Sequence, residues 1–128
     1  MFIKYVLGVV GAIFIGLAGT ASAQSNAKGM ALESFSKVAA SWHFNRKCSY
    51  LSSSDLSDFE ADVAYITITL GKDLGGQTLL NRIQSSVKDI VYSEKYGDCE
   101  KTREMFDAGY KYTKVWSEQI RLILEKQG

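Results

Sequence analysis

The sequence predicts an all-α protein, an antiparallel four-helix bundle held by one long-range disulfide and preceded by a cleaved signal peptide. Three observations lead there. Four segments carry apolar residues at three- and four-residue spacing, the 128-residue chain contains no proline, and its only two cysteines, Cys48 and Cys99, stand far apart.

The N-terminus reads as an export signal. Met1-Phe2-Ile3-Lys4 sets one positive charge ahead of an apolar run from Tyr5 to Leu17, and Ala21-Ser22-Ala23 offers the small side chains that signal peptidase accommodates. Cleavage is expected before Gln24, with no following cysteine to carry a lipid. An uncleaved anchor is the competing reading, but the run is shorter than the ~20 apolar residues of a spanning helix, and Gly8, Gly11, Gly16 and Gly19 weaken it. The expected organisation is a signal peptide at 1–23, a flexible N-terminal tail at 24–29 and a helical bundle domain at 30–128. The expected location is the periplasm or the outside of the cell.

Removing the leader removes Lys4, so 14 basic residues face 14 acidic ones and the mature chain is formally neutral. A neutral chain lacks the electrostatic footprint of a nucleic-acid or anionic-membrane binder, and no later segment is apolar enough to insert stably. About 105 residues suit one domain with a real core.

The elements follow in order. Phe35, Val38, Ala39 and Trp42 form one helical stripe within a first helix from Met30 to about Arg46. Ser52-Ser53-Ser54-Asp55 breaks the chain and supplies N-cap candidates. Leu56, Phe59, Val63, Ile66 and Leu70 predict the second helix, although Tyr65-Ile-Thr-Ile-Thr-Leu70 alternates as a strand would. Helix is preferred, because a strand without a pairing partner leaves its backbone groups unsatisfied. After the turn Gly71–Gly76, a third helix carries Leu79, Leu80, Ile83, Val87, Ile90 and Val91 and is expected to stop at Gly97. A fourth starts near Asp98 with the stripe Met105, Gly109, Tyr112, Trp116, Ile120 and Ile123; its glycine implies close approach of another helix.

The cysteines follow from compartment and topology. Cys48 lies just past the first helix and Cys99 at the start of the fourth, one end of an up-down-up-down bundle, and an oxidising compartment leaves them a single intramolecular pairing. Such a loop closure is worth roughly 4 kcal/mol in the chain-entropy model. A redox pair would favour C-x-x-C, and two thiols with one histidine do not complete a metal site. No cofactor or metal is expected.

Signatures of catalysis are missing: no Glu-x-x-His, no C-x-x-C-H, no G-x-S-x-G and no phosphate-cradling glycine loop. His43 is the sole histidine. The residues that break the pattern are the candidates. Phe44 projects about 200° from Trp42, so Trp42, His43 and Phe44 are either an exposed partner-binding patch or, if Phe44 tucks under the bundle cap, core. Arg46 and Asp62 each fall on the apolar side of a helix and are expected to form a partly buried charge pair.

The spacing Trp42…Cys48-Ser-Tyr-Leu51-Ser…Asp55…Phe59, with a second cysteine about fifty residues on, resembles small exported two-cysteine helical proteins of alphaproteobacteria that have no assigned function. In layout the chain is also similar to the acid-activated periplasmic chaperones of enteric bacteria. The function these readings imply is that of a non-catalytic periplasmic protein, not an enzyme, that binds or helps maintain another cell-envelope protein. Two alternatives stand beside it. One is an acid-stress chaperone, since protonated carboxylates would leave a net charge of about +15; the other is a small-ligand carrier or enzyme with an inter-helix pocket using Asp62 and His43. Oligomeric state is left open by the sequence.

Overall fold

The computed structural model describes residues 20–127. Among these residues four α-helices, α1 (Thr20–Cys48), α2 (Ser53–Asp73), α3 (Thr78–Val91) and α4 (Cys99–Gln127), with one 3-10 turn at Glu94–Tyr96, make an all-helical bundle. The leader expected at 1–23 lies outside the described residues except for 20–23, which open α1. Residues 24–29, expected as a loose tail, continue that helix. Their polarity suggested irregular structure, but nothing in Gln-Ser-Asn-Ala-Lys-Gly breaks a helix: there is no proline, and Gly29 costs only about 1 kcal/mol.

Each helix end has a local cause. Past α1, Ser49 takes φ +53°, the left-handed conformation of a C′ residue, and donates its N–H to the Asn45 carbonyl at 2.7 Å. The Asn45 side chain then accepts the Leu51 N–H at 3.0 Å, fixing the turn into α2. Ser52 caps α2 by accepting the Asp55 N–H. Asp98 caps α4, its Oδ1 accepting from Glu100 at 2.9 Å and Lys101 at 3.4 Å.

The 64–70 segment is helical, and burial says why. A strand would place Ile66, Ile68 and Leu70 on one face; instead Ile66 and Leu70 are buried with Phe59 and Val63 while Ile68 is 53% exposed. Thr67 is satisfied within the helix, its hydroxyl donating to the Val63 carbonyl at 2.7 Å.

One boundary and one buried stripe differ from the sequence reading. α3 ends at Val91 rather than at Gly97: Tyr92 donates back to Lys88, Ser93 swings to ψ 162°, and its hydroxyl donates to the Ile90 carbonyl. Gly97 follows the 3-10 turn at φ −72°, so no left-handed cap forms there. The buried stripe of α4 is also turned: Phe106 takes the place expected of Met105, which is half exposed, and the polar Thr102, Thr113 and Ser117 share the buried face.

Helix α1 is the hub. It packs along α3 and α4 and more lightly on α2, while α4 also carries α2. Cys48 joins Cys99, Ser41 lies against Gly109, and Tyr112 donates its hydroxyl to Ser34 at 2.6 Å, so α1 and α4 run in opposite senses. Gly109 permits the approach: a Cβ there would come 2.7 Å from Ser41 Cβ and 3.2 Å from the Lys37 carbonyl oxygen. Along α3 the pairing advances from His43–Gln84 to Lys47–Val91, so α1 and α3 run in the same sense. The core holds Phe35 and Val38 of α1, Phe59, Ile66 and Leu70 of α2, Leu80 and Val91 of α3, and Phe106, Trp116 and Ile120 of α4.

Candidate functional site

The disulfide end concentrates the chain's polar and aromatic contacts. Cys48 and Cys99 are bonded with their Cα atoms 5.7 Å apart. Beside them Tyr50 donates its hydroxyl to the Cys99 carbonyl, lies 2.7 Å from Thr102 Oγ1 and stacks on Phe106 with ring centres 4.8 Å apart. Phe106 stacks in turn on Tyr110, and Phe59 meets both edge-on.

This end absorbs the residues expected as a recognition patch. Phe44 is 3% exposed and packs edge-to-face on Tyr96 with ring centres 6.0 Å apart. Of the two readings the sequence left open for Phe44, the buried one holds: the 92–98 connection, which the sequence could not place, crosses there and roofs the ring. His43 is buried as well, and Trp42 is half-buried against Phe59. Trp42, His43 and Phe44 therefore do not form an exposed surface.

His43 looks across to α3, its Nε2 lying 2.9 Å from Gln84 Oε1. Burial lowers its pKa below the ordinary 6.5, with Lys88 and Arg46 adding repulsion against only partial relief from the Gln84 bond. Among the described residues its side-chain partner is the Gln84 amide, not a carboxylate of the kind that orients the histidine of a Ser-His-Asp triad.

The expected Arg46–Asp62 pair is not formed. Asp62 accepts from Ser117 Oγ at 2.9 Å and from Arg121 Nη2 at 3.3 Å, both on α4. Arg46 is exposed and lies over the Trp42 ring at 5.6 Å. The physical reason is packing order: α2 leans on α4 more than on α1, which turns Asp62 away from Arg46. The same order separates Asp62 from His43, the two groups a ligand site between helices would have used.

One functional contact the sequence reading missed is Lys47, whose Nζ donates to the carbonyls of Val91, at 3.0 Å, and Tyr96, closing the end of α3. Its position in the last turn of α1 is the only sequence signal it gives. Two of the surface clefts lie near these residues and both are open: one of about 520 Å³ between α2 and α4, with Asp58, Asp62, Lys114, Glu118 and Arg121, and a more apolar one of about 270 Å³ with Trp42, Arg46, Leu56 and Glu60. Among the described residues no group of His, Cys, Asp and Glu is placed to hold a metal ion, and no helix is long and apolar enough to cross a membrane.

Part of the exposed surface is apolar. The outer edge of α3 presents Leu79 and Ile90, with Tyr92 beyond its end and Ile83 half-buried against the core between them; Ile90 is 56% exposed. No protein-family model matches the chain, and neither a curated protein nor a solved structure is significantly similar to it.

Proposed function

We propose that this chain is an exported, non-catalytic binding protein that engages or helps maintain another cell-envelope protein through the uncovered edge of α3. The observation that carries the reading is that edge. Leu79 and Ile90 stand exposed on one line of the helix, with the half-buried Ile83 between them at i+4 and Tyr92 beyond, an apolar edge of the kind an amphipathic helix seats in a partner's groove. Cleavage before Gln24, passage to the periplasm, a bundle whose successive helices alternate in direction, and kinship with the small two-cysteine exported proteins belong to the same proposal. The disulfide supports the compartment, since such bonds persist where the environment oxidises.

The test is site-specific photo-crosslinking in cells expressing the full chain. A crosslinker at Ile90 is expected to give one defined adduct, lost on Leu79→Asp at an exposed position, while one at Ser85 on the polar side gives none. Equal labelling from both sides, or none from Ile90, overturns the reading.

A second reading, the acid-stress chaperone, is favoured by His43: the sole histidine is buried at the junction of α1 and α3, beside Lys88 and Arg46. Acid that charges it would loosen α3 and release its apolar edge while Cys48–Cys99 keeps the chain compact. Suppression of client aggregation near pH 3, but not at neutral pH, is the expected result; no suppression removes this reading.

A further inference from the structure

Helix α4 has a second seam that its own fold does not use. Its buried face is centred on Thr113, and about 200° round from that residue lie Ala108, Val115 and Leu122, each seven positions from the next. All three are exposed, Val115 to 55% and Leu122 to 50%. Single exposed apolar residues need no explanation, but three on one line along a 29-residue helix about 43 Å long make a stripe. Heptad spacing is what a partner helix requires of such a stripe.

The charges beside the stripe choose the partner. Glu104, Lys111, Glu118 and Lys126 are all exposed and alternate in sign along it. In a parallel pairing with a second copy each would meet its own like charge. In an antiparallel pairing with its two-fold axis at Val115, position 115 − n faces position 115 + n. Glu104 then faces Lys126 of the second copy, Lys111 comes beside Glu118 of the second copy, and Ala108 packs against Leu122 of the second copy. Such self-complementarity is what an isologous contact demands.

We propose that α4 is a homodimerisation element that pairs antiparallel with α4 of a second copy about Val115. This surface is separate from the α3 edge, so the two readings stand or fall independently. One seam falls short of the roughly 800 Å² per partner that stable complexes bury, so the dimer is reversible and concentration-dependent. The formally neutral mature chain sets no long-range repulsion against it.

Sedimentation velocity of the exported protein, from micromolar to near-millimolar, is expected to show a monomer–dimer shift that Val115→Glu abolishes without changing helicity. Geometry is read by mild oxidation of single-cysteine variants with Cys48–Cys99 intact. Val115→Cys crosslinks to itself, whereas Ala108→Cys and Leu122→Cys crosslink only when mixed. Glu104→Lys weakens the dimer and the further change Lys126→Glu restores it. A wild type that stays monomeric throughout, or Ala108→Cys crosslinking to itself as fast as Val115→Cys does, overturns the proposal.

Discussion

The ammonium of Lys47, in the last turn of α1, reaches the carbonyl of Val91, the last residue of α3, at 3.0 Å. It also bonds the Tyr96 carbonyl and lies 5.9 Å from the centre of the Tyr92 ring. One side chain thus satisfies carbonyls that α3 and the 3-10 turn leave open and ties them to the disulfide end. Hydrogen bonds to a charged group contribute roughly 1.5–3 kcal/mol. Lys47→Met is expected to lower the unfolding free energy by about 2 kcal/mol in urea titrations, and amide exchange should quicken at Ile90–Tyr96 more than in α2.

Cys48 and Cys99 are 51 positions apart, and closing that loop stabilises the fold by roughly 4 kcal/mol through restriction of the unfolded chain. The double change Cys48→Ser and Cys99→Ser should cost about that much. Because neutral serines leave the Tyr50–Thr102 contact and the Phe106 stack in place, the variant should refold to the same helicity. A loss below about 1 kcal/mol would mean the pairing restrains little.

The stability of the fold should depend on pH through His43. Its pKa is lowered in the folded state, so at pH values just below 6.5 the unfolded chain binds a proton that the folded chain refuses. Stability is therefore full above about 6.5 and is lost as pH falls from there toward the lowered folded value. Urea titrations at intervals through this window should show the decline, and His43→Gln should flatten it. An imidazole that titrates at or above 6.5 in NMR spectra of the folded protein would contradict the assignment.

How far the sequence could be read depends on what each inference needed. Periodicity within one segment sufficed for all four helices and the choice of helix at 64–70, because burying Ile66 with Leu70 and leaving Ile68 out is a local matter. Cys48 and Cys99 were readable because two residues admit one pairing. What failed needed knowledge of which helices touch. Asp62 stands on an apolar face either way, and only the lean of α2 onto α4 gives it to Ser117 and Arg121 instead of Arg46. Phe44 was left between patch and core, and only the path of residues 92–98 decides for core. The turn of the α4 stripe from Met105 to Phe106 was hidden because an apolar stripe leaves out Thr102, Thr113 and Ser117, which are core.

That reassignment of Asp62 is testable by double-mutant cycles. Asp62 is largely buried and Arg121 half exposed, so the pair is worth at most about 1 kcal/mol. The Asp62→Asn and Arg121→Met cycle should give a coupling of several tenths of a kcal/mol, larger with Ser117→Ala included, since both partners share the same oxygen. The Asp62→Asn and Arg46→Met cycle should give none.

Trp116 offers the last prediction. The residue is 2% exposed at the centre of the α4 face, and its indole N–H has no hydrogen-bond acceptor among the described residues. Leaving a buried donor unsatisfied costs roughly 1–3 kcal/mol. Trp116→Phe removes that donor but also removes ring volume, and a void left in a close-packed core is destabilising. The two effects oppose, so the net change should lie within about 1 kcal/mol of zero. Trp116→Ala carries the void without keeping the ring and should cost about 3–5 kcal/mol. Thermal and urea unfolding of the two variants side by side measure the difference. If Trp116→Phe costs as much as Trp116→Ala, the indole N–H is satisfied in solution and the core is held by that bond.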